Sequence, residues 1–553
     1  MATTTTPLRI IPLGGLGEIG RNMMLIEYGD DIIVVDVGLM FPEEEMLGVD
    51  LVIPDFTYLR EHKEKLRAVF LTHGHEDHVG ALPYFLREFS CPIYGAKLTQ
   101  GLVRVKLQEH RLLQKTELIE IKTGEEITAG VFTVEFFTVA HSIPDACGLI
   151  IRTPLGPLVH TGDFKIDHTP VMDQHTDLIR LAEIGAEGCL LLMADSTYAE
   201  QEGFTPSEQL VGEALRNILV NAKGRVIVAT FASLISRIQQ VVDAAVFTNR
   251  KVFVTGRSMI DNVAMARELK YLNVPDGVMV GVDEMRKTPS AKLVVVTTGS
   301  QGEPTSALTR MANGDHRHIT IAEGDTIVMS ATAIPGNEMA VYRNVDNLFK
   351  MGADVLYNRV QNIHVRGHAS REELKIIQAV LQPEYFVPVH GEYRHLVVHA
   401  RLAESVGVPV GNAFVLTDGD VLEIDDSSAK KAGRVAASYV YIDGLGIGDV
   451  DQHILRDRAH LATDGFVVVF VTVDKQTGAL AAKPEILSRG FVDVEDNEVL
   501  LEKSVDVVAA ALKGSAHIAD FGDINARVRD ALSKFLYDET RRRPMVLTVT
   551  VEV

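Results

Sequence analysis

Four consecutive strand–loop–helix units between residues 213 and 366 constrain the fold of this chain more than any other feature. Each unit begins with a continuous apolar run and a loop of small residues, as in RVIVATFAS, KVFVTGRS, KLVVVTTGS and TIVMSATA, and continues into a helical pattern. Continuous apolar strands that alternate with helices are typical of a parallel sheet covered on both faces. We therefore predict such a sheet here. Its loops would lie at the carboxyl edge, where open α/β sheets bind ligands.

The chain on both sides of this block has a mixed α/β pattern with a large share of strands. At 553 residues it is too long for a single core, so several domains are expected. We predict a first domain over residues 1–212 that is interrupted by the 213–366 block and completed by 367–425. A polar, glycine-containing linker over 426–454 then leads to a smaller α/β domain over 455–553.

The composition favours a cytoplasmic protein without a membrane span. The N-terminus MATTTTPLRII has no signal-peptide pattern, and the longest apolar run, FVVVFVTV, is far short of the ~20 residues that a spanning helix needs. The three cysteines lack CxxC spacing and are expected to be reduced thiols. The net charge of −21 disfavours a protein that merely coats nucleic acid, although an acidic protein can still carry one positive pocket.

A glycine pattern near the N-terminus suggests a dinucleotide site at first sight. GLGEIG (15–20) matches G-x-G-x-x-G, and Asp36 follows at a plausible distance for a ribose-binding acid. That fingerprint requires a helix directly after the glycines, whereas RNMMLIEY is typical of a strand. We therefore predict a tight hairpin at this point and no nucleotide.

A dense histidine run, THGHEDHVG (72–80), follows an apolar strand pattern. A lone histidine beside a strand is usually structural, but three histidines and two acids within six positions need another explanation. His73 and His75 alternate along extended backbone, so their imidazoles point the same way. Asp77 and His78 follow at the turn into a helix. One loop can thus offer two ligands to each of two metals, and these ligand types suit zinc or manganese.

Further ligand candidates follow other predicted strands. His141 in TVAHSIPD, Asp163 in LVHTGDFK and His390 in FVPVHGE each stand between a β-rich run and a tight turn. His160, three positions before Asp163 in the same motif, is interpreted as a strand residue.

These motifs together resemble a known family. HGHEDH, AHSIPD and TGDFK, in this order, resemble the metallo-β-lactamase superfamily, and the 213–366 insertion resembles a β-CASP domain. ADST (194–197), HVRGHAS (364–370) and PVHGE (388–392) resemble the later motifs of that domain. With PLGGLGEIGRN and DGLGIGDV, the chain resembles the bacterial ribonuclease J family over essentially its whole length. The resemblance implies an α/β fold: a metallo-β-lactamase αββα sandwich, an inserted parallel-sheet β-CASP domain and a small C-terminal α/β domain that supports dimer or tetramer assembly.

The resemblance also implies roles for individual residues. One divalent ion would be bound by His73, His75 and His141, and a second by Asp77, His78 and His390, with Asp163 bridging them. Asp36 would orient the loop or a ligand histidine from behind. His368 and Asp195 would assist catalysis, although ADST could also merely cap a helix. The residues expected to contact substrate are Ser233, His364, His368, Ser370, Ser330 and Gly336. Arg366 stands where the family usually has a small residue, and its role stays open.

The implied reaction is phosphodiester hydrolysis by water activated between two divalent ions ~3.5–4 Å apart. Zinc is favoured and manganese is the alternative. The implied substrate is single-stranded RNA, degraded 5′→3′ from monophosphorylated ends and also cut internally, in RNA maturation and decay and within an RNA-degradation complex. DNA stays open, because two metals do not distinguish the sugars.

Two other functions compete with this interpretation. A metallo-β-lactamase-fold hydrolase of a small ester or thioester would explain the histidines but not the long insertion. A non-catalytic RNA-binding subunit would have little use for a complete ligand set.

Overall fold

The computed structural model describes residues 6–43, 45–172, 174–333, 337–357, 363–475, 479–493, 496–513 and 521–553. The chain divides into two compact units. The larger comprises Met1–Phe41 and Leu51–Val440, and the smaller comprises Pro42–Asp50 and Tyr441–Val553. Among the described residues, every helix is too short or too polar to cross a bilayer.

The larger unit contains an eight-stranded mixed sheet. Its strands, in spatial order, are Ala429–Arg434, Asp420–Ile424, Leu8–Gly14, Met23–Tyr28, Asp31–Val35, Leu66–Phe70, Ile93–Ala96 and Leu118–Ile121. The last four run parallel to one another, and the others pair antiparallel. Leu8–Gly14 and Met23–Tyr28 are antiparallel neighbours, and no helix follows the glycines. The antiparallel pairing predicted for the hairpin is therefore confirmed. The connection between its strands, over residues 15–22, is longer than the predicted tight turn.

A six-stranded sheet faces the first. Its strands, in spatial order, are Tyr385–Val389, Leu191–Asp195, Gly156–His160, Cys147–Thr153, Phe132–Thr138 and Glu126–Ala129. The first three are parallel, and the remaining pairs are antiparallel. Alternating buried residues of both sheets, such as Ile10 and Phe70 on one and Phe136 and Met193 on the other, form one apolar core between them. Each such side chain contributes about 1.5–3 kcal/mol by its removal from water.

Helices cover the outer faces of this sandwich, as the αββα prediction requires. They are Thr57–Glu61, Glu76–Val79, Leu82–Phe85, Lys97–Glu109, Leu178–Glu187, Arg371–Leu381 and Tyr393–Ser405, with 3-10 turns at Lys63–Lys65 and Leu113–Lys115. The short strands Leu16–Gly17 and Gly391–Glu392 pair with each other, and Leu51–Ile53 is a further strand.

The inserted block forms the predicted parallel sheet. Its strands, in spatial order, are Lys251–Thr255, Leu293–Thr297, Val226–Ala229, Thr326–Met329 and Asp354–Leu356. The last strand was not predicted, because three residues with one exposed end carry little apolar pattern. The helices of the block are Gln209–Asn221, Ile235–Phe247, Arg257–Glu268, Val282–Lys287, Ala307–Ala312 and Glu338–Lys350, with a 3-10 turn at Ser290–Lys292.

One helix of the insertion packs closely on the sandwich. Arg257–Glu268 contacts Lys97–Glu109 at Gly101, where a Cβ atom would approach Met265 Sδ to 2.7 Å and Leu269 Cδ1 to 2.6 Å. A side chain at this position would require the ends of the Met265 and Leu269 side chains to shift.

The smaller unit has a three-stranded sheet of Glu485–Arg489, Phe466–Val473 and Met545–Glu552. Its helices are Gln452–Asp464, Glu498–Leu512 and Phe521–Thr540, of which the last two share an apolar core with the sheet. Residues 426–454, for which the sequence predicts a linker, contain the strands Ala429–Arg434, Val440–Asp443 and Gly446–Ile447. Polar side chains do not prevent an edge strand, because the backbone supplies the pairing.

Candidate metal centre

The predicted ligands meet at one edge of the sandwich. His73 lies just beyond the strand Leu66–Phe70, His141 beyond Phe132–Thr138, Asp163 beyond Gly156–His160 and His390 beyond Tyr385–Val389. The three strands before His141, Asp163 and His390 run in the same direction within one sheet. Their carboxyl ends therefore share an edge, and the histidine loop approaches that edge from the facing sheet.

The first donor set consists of His73, His75, His141 and Asp163. His75 Nδ1 lies 3.0 Å from His73 Nε2 and 3.2 Å from His141 Nε2. Asp163 Oδ2 lies 3.6 and 3.7 Å from the same two Nε2 atoms. Two nitrogens that bind one tetrahedral zinc ion at ~2.0–2.1 Å would lie roughly 3.3–3.4 Å apart. The spacing therefore fits three imidazoles and a carboxylate around a single ion.

The second donor set consists of Asp77, His78, His390 and the same Asp163. Asp77 Oδ2 lies 3.5 Å from His78 Nε2 and 3.7 Å from His390 Nε2. Asp163 Oδ2 lies 3.3 Å from His78 Nε2 and 3.6 Å from His390 Nε2. One carboxylate oxygen is thus adjacent to both sets, which is the position of a bridging ligand.

The buried carboxylate of Asp163 favours a cation in the cluster. Burial by itself would raise the pKa of Asp163, but the imidazoles of His390, His78, His368 and His73 outweigh it and hold that pKa well below its usual range. The resulting carboxylate is buried, and its Oδ1 has no hydrogen-bond partner among the described residues. A buried anion with an unsatisfied oxygen is costly unless a cation accompanies it.

The pKa values of the histidines also indicate a cation site: those of His73 and His141 are lowered, and that of His78 is raised. Burial, mainly, lowers the pKa of His73 and of His141, so both are neutral, the form that binds metal. Burial also opposes the charge on His78, but Asp163, Asp77 and Asp36 outweigh it and raise the pKa of His78. Asp77 and Asp163 lie beside His78 Nε2 and Asp36 lies beside Nδ1, and the donor set fits divalent cations.

Asp36 supports the cluster from behind. Its Oδ2 accepts a hydrogen bond from His78 Nδ1 at 2.8 Å and from the Thr72 hydroxyl at 2.8 Å, and its Oδ1 accepts from the Thr72 backbone N–H at 2.8 Å. This fixes the His78 ring with Nε2 toward the centre of the cluster. Asp36 adopts φ = 61°, a left-handed conformation that is rare for a residue other than glycine.

Gly367 is a site residue that the sequence did not single out. Its carbonyl accepts a hydrogen bond from His141 Nδ1 at 2.7 Å, which directs Nε2 into the cluster. A Cβ atom at this position would lie 2.6 Å from His141 Cε1. The only sequence signal was its place between Arg366 and His368 in the motif HVRGHAS.

The backbone of the histidine loop is held by neighbouring segments. The Asn22 N–H donates to the Asp77 carbonyl at 2.9 Å, and the Val37 N–H donates to the His78 carbonyl at 2.8 Å. At Gly38 a Cβ atom would lie 1.6 Å from the Asp77 carbonyl oxygen, so the close approach requires glycine. Asn22 and Gly38 were also absent from the sequence-based site.

His368 and Asp195 lie beside the cluster. His368 Nδ1 is 2.7 Å from Asp195 Oδ2 and 3.8 Å from Asp163 Oδ2. Burial opposes the charge on His368, but Asp195 and Asp163 raise its pKa to about 9. Asp195 Oδ1 accepts from the backbone N–H and hydroxyl of Thr197, and this segment forms turns and not the start of a helix. The helix-cap alternative for ADST is therefore wrong.

The residues expected to contact substrate differ in what their side chains do. Ser233 is half-buried in the loop before the helix Ile235–Phe247. Ser330 is fully buried; its hydroxyl donates to the Ile363 carbonyl at 2.6 Å and accepts from Arg237. Its N–H donates to the Ala229 carbonyl.

Ser370 also contacts other residues of the protein. It is fully buried and begins the helix Arg371–Leu381 with a capping box. His364 Nδ1 is buried without a hydrogen-bond partner in the described part of the chain. Gly336 lies outside the described residues. The geometry thus gives Ser330 and Ser370 structural tasks, and the sequence could not distinguish these from contacts with substrate.

Four family models match successive parts of the chain. They are the metallo-beta-lactamase superfamily over residues 16–184, the "Ribonuclease J, beta-CASP domain" over 223–348, the "Zn-dependent metallo-hydrolase RNA specificity domain" over 353–413 and the "Ribonuclease J C-terminal domain" over 453–553. "Ribonuclease J2" of Bacillus subtilis is 43% identical over 551 residues, which cover 99% of both chains. The chain belongs to the ribonuclease J family.

Other members of the ribonuclease J family are similarly close. "Ribonuclease J" of Thermus thermophilus is 43% identical and covers 99% of this chain and 95% of its own, and that of Synechocystis is 42% identical and covers 99% and 87%. A solved structure described as a protein of unknown function from Enterococcus faecalis shares the fold, with a TM-score of 0.56 at 19% identity, and covers 76% of this chain and 100% of its own.

Membership of the ribonuclease J family establishes the activity at a coarse level. The chain is a metal-dependent ribonuclease that acts on RNA, and its superfamily binds divalent metal ions. A small-molecule hydrolase and a non-catalytic RNA-binding subunit are therefore not the function of this chain.

Proposed function

We propose that this ribonuclease degrades single-stranded RNA 5′→3′ from monophosphorylated ends, cuts internally as well, and acts in RNA maturation and decay. The observation that carries the proposal is the pair of donor sets that share Asp163 Oδ2. We assign two divalent ions to them, one on His73, His75 and His141 and one on Asp77, His78 and His390. Zinc is favoured, with manganese as the alternative, because both accept imidazole and carboxylate ligands.

When bound, the two ions would supply Lewis acidity and a nucleophilic water at neutral pH. The protein's own residues position this chemistry. Asp36 and the Gly367 carbonyl hold His78 and His141 with their Nε2 atoms inward. Asp163 keeps one oxygen between the two sets. Fixed donors of this kind reduce the reorganisation that the reaction would otherwise need.

His368 is proposed as the group that contacts the scissile phosphate. Asp195 accepts from its Nδ1, which fixes the ring and leaves Nε2 as the donor toward substrate. Against the effect of burial, the Asp195 carboxylate raises the pKa of His368 and favours the protonated ring. That proton can stabilise the phosphate oxygens and support the departing oxygen.

Recognition of a 5′ monophosphate is proposed at Ser233. It precedes the 13-residue helix Ile235–Phe247, and helix N-termini attract anions. The Ser236 hydroxyl donates to the Ser142 carbonyl at 2.9 Å, and Ser142 follows the ligand candidate His141. The start of this helix is therefore tied to the metal cluster. A terminal phosphate bound there would place the next phosphodiester near the metals and favour removal of single nucleotides.

Assembly is proposed through the smaller unit. Its sheet has helices on one face, while Phe470, Leu487, Leu547 and Val549 are exposed on the other. An apolar face of this kind supports a dimer or tetramer, and contacts within an RNA-degradation complex. A cytoplasmic location is supported by three unpaired cysteines.

The test is a digest of single-stranded RNA labelled at the 5′ end, carrying either a monophosphate or a triphosphate, with Mn²⁺ or Zn²⁺. The unaltered chain is compared with His75→Ala and with His453→Ala, whose side chain is exposed on the smaller unit. We expect labelled mononucleotide from the monophosphate substrate alone, no product with His75→Ala, and normal cleavage with His453→Ala. Internal fragments from both substrates would make endonuclease action the main activity, and mononucleotide from both would remove the monophosphate preference.

A further inference from the structure

Arg366, beside the metal centre, is a cation that has no acidic partner within the part of the chain that the structure describes. Its guanidinium carbon lies 4.5 Å from the centre of the Tyr198 ring, and the side chain is half-exposed. Among the described residues, no carboxylate forms an ion pair with it. In a chain with net charge −21, an uncompensated guanidinium is available for an anion from outside.

The position of Arg366 is fixed by its neighbours in sequence. Gly367 accepts the hydrogen bond of His141, and His368 bonds to Asp195. The Tyr198 ring on which Arg366 lies is itself 5.8 Å from the His368 ring, centre to centre. Arg366 and Tyr198 therefore stand at the rim of the cluster, on the side where His368 faces the substrate.

Other arginines of the larger unit differ from Arg366 because they form ion pairs with acidic residues. Arg237 is fully buried and bonds to Glu208 at 2.6 Å. Arg394 is exposed but contacts both Glu392 and Glu200. Arg366 has an aromatic ring in place of acids. Stacking on a ring restricts the guanidinium without neutralising it, so less entropy is lost when an anion binds.

We propose that Arg366, stacked on Tyr198, binds a phosphate group of the RNA at the metal centre. This rests on the proposed function and adds a substrate contact to it. A guanidinium can donate two parallel hydrogen bonds to phosphate oxygens. The phosphate is either the 5′-terminal one or an internal one, since both carry the same oxygens.

The first test replaces the charge. Arg366→Gln is compared with the unaltered chain in steady-state cleavage of 5′-monophosphorylated RNA over a series of KCl concentrations. A lost hydrogen bond to a charged group predicts a KM raised about 10- to 100-fold. One phosphate contact fewer also reduces the slope of log KM against log salt by about 0.7. We expect kcat to change little, since the metal donors are untouched.

Two further variants, one control and one second test, separate a phosphate contact from a general loss of charge. Arg394→Gln removes the same charge from a paired arginine and leaves KM and the salt slope unchanged. Tyr198→Leu removes the ring on which the guanidinium lies and raises KM in the same direction as Arg366→Gln. Equal melting temperatures of the variants verify that they fold.

Competing unlabelled RNAs identify the phosphate. If Arg366→Gln weakens inhibition by 5′-monophosphate RNA but not by 5′-hydroxyl RNA, the terminal phosphate is the ligand; if it weakens both equally, an internal one is. An unchanged KM and salt slope in Arg366→Gln, with active unaltered protein, would overturn the inference and leave the proposed function intact. Failure of the unaltered chain to cleave RNA would overturn both.

Discussion

At the residue scale, the sequence predicted the ligand types but not their orientation. The alternation of His73 and His75 placed both imidazoles on one side, yet His75 presents Nδ1 where His73 presents Nε2. That choice depends on the ring's contacts with the rest of the fold. Asp36 was predicted to lie behind the ligands, and its bonds to His78 and Thr72 supply a physical basis for that role.

The Asp36 carboxylate is expected to strengthen metal binding through His78. Asp36→Asn keeps the size but removes the charge that polarises the imidazole, and such changes cost about 10- to 100-fold in metal affinity. Zinc affinity measured by competition with a chromogenic chelator tests this. Asp30→Asn, at an exposed position on the preceding turn, is the control and should bind zinc normally. Equal affinity of both variants would show that Asp36 does not tune the site.

Gly367 is expected to be irreplaceable for a different reason. In Gly367→Ala the new methyl group would lie 2.6 Å from His141 Cε1 and push this ring off the Gly367 carbonyl. We expect fewer metal ions per chain and lower RNA cleavage, with the melting temperature lowered only slightly. Metal content by elemental analysis checks this, and Gly281→Ala, in open space on the same unit and with an ordinary φ of −81°, is a control for the added methyl group. A normal metal content in Gly367→Ala would contradict the role of the carbonyl.

At the element scale, periodicity predicted the long elements well. The units of the insertion and the helix Arg371–Leu381 follow apolar patterns, and the structure has them at those places. The short strand Asp354–Leu356 was missed, since its pairing depends on a neighbour distant in sequence. The start of Arg371–Leu381 also shows a limit of the sequence pattern at Ser370: a capping serine and a ligand-binding serine have the same sequence signature.

Glu373 connects three segments at this helix start. Its carboxylate accepts from the backbone N–H groups of Ile166 and Thr205 at 2.7 Å and of Ser370 at 2.8 Å, and it is fully buried. In Glu373→Gln one oxygen becomes a donor that faces another donor. We expect the free energy of unfolding to fall by about 2–3 kcal/mol. Urea denaturation measures this, and Glu372→Gln at the neighbouring half-exposed position should change it little; equal effects would refute the connecting role.

At the scale of the whole molecule, buried histidines make the stability depend on pH. Burial lowers the pKa of His399 to about 3, and its Nε2 has no partner in the described part of the chain. The unfolded chain binds a proton there below about pH 6.5 and the folded chain does not. Stability from this group is therefore complete above pH 6.5 and is lost as the pH falls toward 3.

His399→Asn should reduce the acid sensitivity of the fold. Between about pH 7.5 and about pH 5.5, one such histidine accounts for a loss of about 1.4 kcal/mol in the free energy of unfolding. The variant is less stable at both pH values but shows a smaller difference between them. Urea titrations at the two pH values test this, with the exposed His453→Asn as control. An undiminished pH difference in His399→Asn would show that His399 is not the responsible group.

The most direct test of the metal centre counts the ions that the chain binds and relates them to RNA cleavage. Dialysed protein is titrated with Zn²⁺ or Mn²⁺, the bound ions per chain are determined by elemental analysis, and hydrolysis of labelled RNA is assayed at each point. We expect two ions in the unaltered chain, one fewer in His141→Ala and in His390→Ala, and loss of cleavage in both variants. Full cleavage by protein that holds no divalent ion, or unchanged ion binding in both variants, would contradict the assignment of the two donor sets.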